Sequence, residues 1–226
     1  MSDSSADQLV IERPRRLRSD SIQTQAKLIS VAEALFAERG IDGVSLSEIN
    51  RAAEQGNNSA LHYHFGSKEG LFEAIWEKHV SRMNEAVGVA LAVLPDEPTI
   101  ADLVDAMVKP FAERFEDSDG GVHYLQIMCQ AHANPDQVQF RQIVDGRIPD
   151  AYLPLGVLLT EACGHIPLQA RIRRFHLMAS SMLLGLNAII VNERRNPDLA
   201  MVRSERLSEL QDSLTGLLSG PSNATA

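Results

Sequence analysis

The residues with the most chemistry in the shortest span lie in NNSALHYHFGSKEGLF, residues 57–72. This stretch sets His62, Tyr63 and His64 side by side and follows them with Ser67-Lys68-Glu69. Two histidines could hold a metal ion, but on a helix positions two apart point about 200° apart, and helical metal pairs use i and i+4. His62 and His64 therefore cannot share one ion. Cys129 and His132 are better spaced, with His123 nearby. A lone pair still leaves a site incomplete, so a buried thiol and an ordinary histidine are expected there, and neither a metal nor a cofactor.

Catalytic patterns are missing as well. The sequence contains neither G-x-S-x-G nor G-x-x-x-x-G-K-[ST], the turns that expose a nucleophilic serine or cradle phosphates. The carboxylates Asp102 and Asp105, like Glu116 and Asp117, read as solvated helix faces. The expectation is not an enzyme.

The stretch fits a surface that presses against a large anion. A helix that enters the major groove of DNA needs an apolar inner face, here Leu61 and Phe65, and an outer face of small or hydrogen-bonding side chains. Asn58, Ser59 and His62 suit base edges, and Ala60 suits a thymine methyl. Tyr63, His64, Lys68 and the amides opening the next helix suit phosphates.

The elements that must position these residues are also legible. Leu28, Ala32, Leu35 and Phe36 form one apolar stripe on a helix expected from Thr24, with Gly40 as its left-handed stop. Ser45-Leu46-Ser47-Glu48 has the pattern of a capping box, with Val44 and Ile49 placed as a hydrophobic staple, and opens a helix to about Ala53. EQGNN is turn chemistry. A short helix over about 58–64 follows, then Gly66-Ser67, and Ser67 caps a long helix through Leu71, Ile75, Val80 and Met83. Further helices are expected over about 99–116, 121–133, 136–147, 150–163, 167–193 and 198–218, giving an all-helical chain.

Composition sets bounds on the partner. The 226 residues carry a net charge of −9, which excludes a strongly basic, sequence-independent nucleic-acid coat. Residues 12–70 hold eight basic and eight acidic side chains, so placement rather than net charge must attract a duplex. Arg13, Arg15, Arg16 and Arg18 form a basic segment within residues 1–19, expected as a flexible arm. Two cysteines and a polar N-terminal stretch point to a reducing cytoplasm. FHLMASSMLLGLNAIIV, residues 175–191, contains His176 and Asn187 and reads as an interface helix, not a membrane span.

Residues 24–75 resemble the DNA-binding domain of TetR-type transcriptional regulators. The match runs through Thr24, Ala32-x-x-Leu35-Phe36, Arg39-Gly40, Ser45, Ile49, Ala53, Leu61-x-Tyr63-His64-Phe65 and Ser67-Lys68-Glu69-x-Leu71. Glu54 stands where the family usually has glycine, and the span from Ile49 to Phe65 is one residue longer than usual. The resemblance implies an N-terminal helix-turn-helix domain over 20–67, with Thr24 and Ser45 joining the DNA-facing set. It also implies a helical effector-binding and dimerisation domain over 68–226. The protein would then be a homodimer on operator DNA, a repressor released by a small, largely apolar effector. The competing reading is a helical protein-interaction module.

For that effector, Met107, Phe111 and Phe115 fall at i, i+4, i+8 around Pro110, a residue able to kink a helix and open space. Tyr124, Met128, His176 and Met178 are expected to complete the pocket. For self-association, 175–191 with Ala179, Ser180 and Gly185 is expected to pack with Leu199, Val202, Leu207, Leu210, Leu214 and Leu217.

Overall fold

The computed structural model describes residues 15–54, 60–116, 119–133, 150–196, 198 and 202–221. These form helices α1 (Arg15–Arg39), α2 (Leu46–Ala52), α3 (Ala60–Phe65), α4 (Lys68–Ala92), α5 (Ile100–Glu116), α6 (Gly121–Ala133), α7 (Tyr152–Ala162), α8 (Leu168–Arg195) and α9 (Arg203–Ser219). No strand occurs among the described residues. Asn58, Ser59, Leu199, the segment 136–147 and residues 1–14 lie outside the description.

Helix α1 begins at Arg15, well before Thr24, and so includes Arg15, Arg16 and Arg18 of the expected arm. The reason is local: no glycine or proline interrupts the chain between Pro14 and Gly40. Thr24 therefore lies inside the helix and does not open it. Leu28, Ala32 and Phe36 are fully buried along one face, and Gly40 ends the helix at φ +77, a left-handed turn that a Cβ would disfavour.

The long helix α4 connects the N-terminal helices α1–α3 (the head) with the helices that follow it (the body). Its buried face comprises Leu71, Phe72, Ile75, Trp76, His79, Met83 and Val87. Val80, expected in this stripe, is only half-buried; the four-residue step from Ile75 to Met83 passes through His79 instead.

Helices α5, α6, α8 and α9 complete the body. Asp102 does not simply face water: it accepts from the Thr99 amide at 2.9 Å and hydroxyl at 2.6 Å, while Thr99 Oγ1 accepts from the Asp102 amide. This reciprocal pair caps α5. Asp105 pairs with Lys109 one turn on. Asn84 of α4 accepts the Ala151 amide at 2.7 Å and so fixes the start of α7.

Helices α8 and α9 pack on each other within the chain. A Cβ at Gly185 would lie 2.5 Å from Leu210 Cδ1, so the small residue permits a close approach inside one subunit. By length and hydropathy α8 could cross a membrane. In the fold it packs on α6 and α9, and it buries Glu193 beneath Arg203 and Arg206.

Candidate nucleic-acid interface

The capping box at α2 is formed in full. The Ser45 amide and hydroxyl both donate to Glu48 Oε2, at 2.8 and 2.7 Å, and the Glu48 amide returns a bond to Ser45 Oγ. These bonds, reinforced by Arg39 at 3.0 Å, hold the Glu48 carboxyl down to about 2. Arg39 also donates to the Gly43 carbonyl at 2.6 Å, so one guanidinium clamps both the loop after α1 and the first turn of α2. Val44 and Ile49 are buried together beneath it. The hydroxyl of Ser45, assigned above to DNA, is committed to this cap.

The turn after α2 carries a backbone signature. Glu54, where the family resemblance leads to the expectation of glycine, has φ +55, a left-handed conformation costly for a residue with a side chain. Its carboxylate meets Lys27 Nζ of α1 at 2.9 Å, and hydrogen bonding to Lys27 lowers its pKa. This exposed pair ties the turn to α1.

A helix as short as α3 cannot hold itself together in water. Leu61, fully buried, anchors it, and Phe65 is half-buried beside the core. The opposite side stays in solvent: Tyr63 is 66% exposed and His62 is exposed. His62 Nδ1 donates to the Gly66 carbonyl at 2.7 Å, closing the end of α3. That bond leaves Nε2 as the second polar atom of the ring, an acceptor when the ring is neutral and a donor when it is charged. His64 is half-buried, its ring 5.1 Å from Tyr63 in an edge-on arrangement and 6.1 Å from Phe65.

Ser67 Oγ accepts from the Gly70 amide and caps α4. Lys68 Nζ donates to the Ile41 carbonyl at 3.0 Å. The lysine assigned to phosphate thus also braces the loop between α1 and α2, with two ammonium hydrogens left over. The structure brings His62, Tyr63, His64 and Lys68 into one segment, whereas Thr24 sits part-way along α1.

The expected effector residues divide. Met107, Phe115, Tyr124 and Met128 are buried in the core, and Phe111 packs edge-on against both Phe115 (5.6 Å) and Tyr152 (5.7 Å). Met178 is also buried, but His176 is exposed on α8 and does not join them. A separate cleft of about 280 Å³ lies between α1, α6 and α8, lined by polar residues such as Gln126, Gln130, Asn187 and Arg195. None of the expected effector residues lines it.

What sequence reasoning missed is a buried polar cluster at the joint of head and body: Glu33, His79 and Arg114, at 1%, 0% and 6% exposure. The signal was available, since His79 occupies a position four from Ile75 and four from Met83 on an apolar stripe.

Helices α2 and α3 braced by α1, with a solvent-facing short third helix and a helical body behind it, have the arrangement of a helix-turn-helix. Comparison with known proteins gives the family. Residues 28–75 match the profile of bacterial regulatory proteins of the tetR family. The chain is 32% identical over 84 residues to the HTH-type transcriptional regulator AcrR of Shigella flexneri, covering 37% of this chain and 39% of AcrR. It is 31% identical over 127 residues to the HTH-type transcriptional repressor BdcR of Escherichia coli K12, covering 56% and 59%. The matched regions thus span less than two thirds of either relative. A solved structure assigned to the tetR family of transcription regulators, from Shewanella sp. PV-4, superposes with a TM-score of 0.58 at 15% identity. It covers 84% of this chain and 97% of its own. The similarity to the tetR family thus rests on residues 28–75, with the partial matches to AcrR and BdcR beside it.

Proposed function

We propose that this protein is a dimeric transcriptional regulator, acting as a repressor, that reads a pseudo-palindromic operator in the cytoplasm with α3 and is released by a small effector. The observation that carries the reading is the outward side of α3, where His62 and Tyr63 face solvent while buried Leu61 anchors the helix between α2 and α4, capped by Ser45 and Ser67. Names of relatives support it: AcrR is a transcriptional regulator and BdcR a transcriptional repressor. One short helix contacts only a few base pairs, which calls for two copies. Exposed Leu177 and Leu184 on α8, at 55% and 54%, supply an apolar strip for the second. The effector's entry is the edge of the ring cluster, where the buried Tyr152 hydroxyl has no hydrogen-bond partner among the described residues.

Fluorescence anisotropy with the protein's own upstream DNA tests the reading. Binding should weaken steeply with salt, with a slope of about −0.9 per phosphate contact. Tyr63→Phe should weaken all duplexes alike by loss of a phosphate bond, and His62→Ala should change sequence preference by about 1–3 kcal/mol. Binding indifferent to both sequence and these substitutions would leave only a helical interaction module.

A further inference from the structure

The joint between head and body is built from charge. His79 Nε2 of α4 lies 2.6 Å from Glu33 Oε1 of α1, and Arg114 Nη2 of α5 lies 2.7 Å from His79 Nδ1. Lys78 Nζ donates to both Glu33 oxygens, at 3.1 and 2.9 Å, and meets Asp119 at 3.2 Å. Asp119, in the loop before α6, also meets Arg82 of α4 at 3.0 Å. Tyr124 of α6 stacks on the imidazole, ring centroids 4.3 Å apart and 8° from parallel. Gly120 lets the loop close: it has φ +84, and a Cβ there would collide with Glu33 Oε2.

The hydrogen bonds specify the protonation of the ring. A guanidinium has donors and no acceptor, so Nδ1 must present its lone pair to Arg114. The ring proton is then on Nε2, which donates to the carboxylate. A second proton, on Nδ1, would set N–H against N–H and positive charge against positive charge. Burial pushes the imidazole below its usual range, Glu33 pulls it the other way, and the charges of Arg114 and Lys78 add to the lowering.

We propose that His79 is a positioning residue that locks α5 to the reading head through Arg114 and Glu33, and that the lock holds only while the ring is neutral. The charged and titratable groups facing it are Glu33 from α1, Lys78 and Arg82 from α4, Arg114 from α5, Asp119 from the loop and Tyr124 from α6. A proton on Nδ1 expels Arg114 and breaks the path that runs from α5 through His79 to Glu33 of α1. An effector that displaces α5 must break the same bond, so the ring stands between the body and the angle of the head. The regulatory meaning rests on the DNA-binding reading, whereas the lock is a property of the chain without DNA.

Trp76, the chain's single tryptophan, reports on this site, with its ring 6.2 Å from that of Tyr124. Full-length protein without DNA is titrated from about pH 8 to about pH 4, a window that extends below ordinary imidazole ionisation because burial depresses this ring, with circular dichroism confirming the fold. Wild type should show a one-proton change in Trp76 emission, and α1 amides around Glu33 should lose roughly tenfold in protection, relative to the intrinsic exchange rate at each pH, across the same step. His79→Gln should abolish the change. Arg114→Gln should move its midpoint up by about one pH unit, since a like charge has been removed. Flat emission in folded wild type, a change that persists in His79→Gln, or an unmoved midpoint in Arg114→Gln would each overturn the lock. If His79→Gln does not fold, wild type and Arg114→Gln decide. Because no DNA is present, a protein that fails to bind an operator still answers the question. One that binds DNA without this titration keeps the regulator reading and loses the lock.

Discussion

His62 and His79 stand on consecutive helices and do opposite things. His62, on α3, is exposed and spends one ring nitrogen on the Gly66 carbonyl. His79, on α4, is sealed between Glu33 and Arg114, with both nitrogens committed. The head keeps its polar groups in water, where a duplex can compete for them at little desolvation cost. The joint buries its charges, where each needs a partner and the loss of one leaves another exposed to a low dielectric. The short exposed helix thus keeps polar groups available at its surface, and the element behind it has a definite position.

Breaking the joint should be the costliest change. Glu33→Ala leaves Lys78 and His79 facing an empty carboxylate site and should lower unfolding free energy by about 3–5 kcal/mol in chemical denaturation. A cost near that of an exposed ion pair would abolish the contrast between the two regions. Acid should act in the same direction with smaller effect. The folded-state pKa of His79 is depressed, so below about 6.5 the unfolded chain takes up a proton that the folded one refuses. Stability contributed by neutral His79 is therefore complete above that value and declines as pH falls toward the folded pKa, which urea titrations at several pH values would record.

Gly120→Ala sharpens the comparison by leaving every charge in place. It places a Cβ against Glu33 and forces a left-handed φ on alanine, a cost of about 1–3 kcal/mol in thermal or chemical unfolding. In the head, Ser45→Ala should cost only about 1 kcal/mol, the value of a helix cap. The smallest effect belongs to Glu54→Gly. Relief of the left-handed strain at φ +55 should outweigh the exposed contact with Lys27 and raise the melting temperature slightly. A drop would show that the Lys27 tie is what fixes the turn.

Much of the head could be read directly. Ser45 and Glu48, the stripe from Leu28 to Phe36, Leu61 and the Ser67 cap all act within a few residues of themselves, so residue type and spacing carry the information. The start of α1 is less legible, because the change from polar to amphipathic sequence at Thr24 marks no boundary. Helix continuation depends on the absence of breakers, and none occurs until Gly40. The effector residues were harder. The spacing of Met107, Phe111 and Phe115 reports one buried face, and a packed core and a cavity wall have the same periodicity. His176 lies outside because residues 175–191 of α8 are apolar nearly all round, which hides which side meets the body.

The amino-acid order alone determined that this chain is helical, that a capped short helix follows a turn, and that its side chains suit DNA, because caps, stops and periodic stripes act over distances of a few residues. Tertiary structure alone decided that Glu33, His79 and Arg114 meet, that Lys68 braces the Ile41 loop and that Gly185 receives Leu210 from α9 within the same subunit. Those contacts join residues far apart in the chain, and only the packing of whole helices brings them within hydrogen-bonding or van der Waals range.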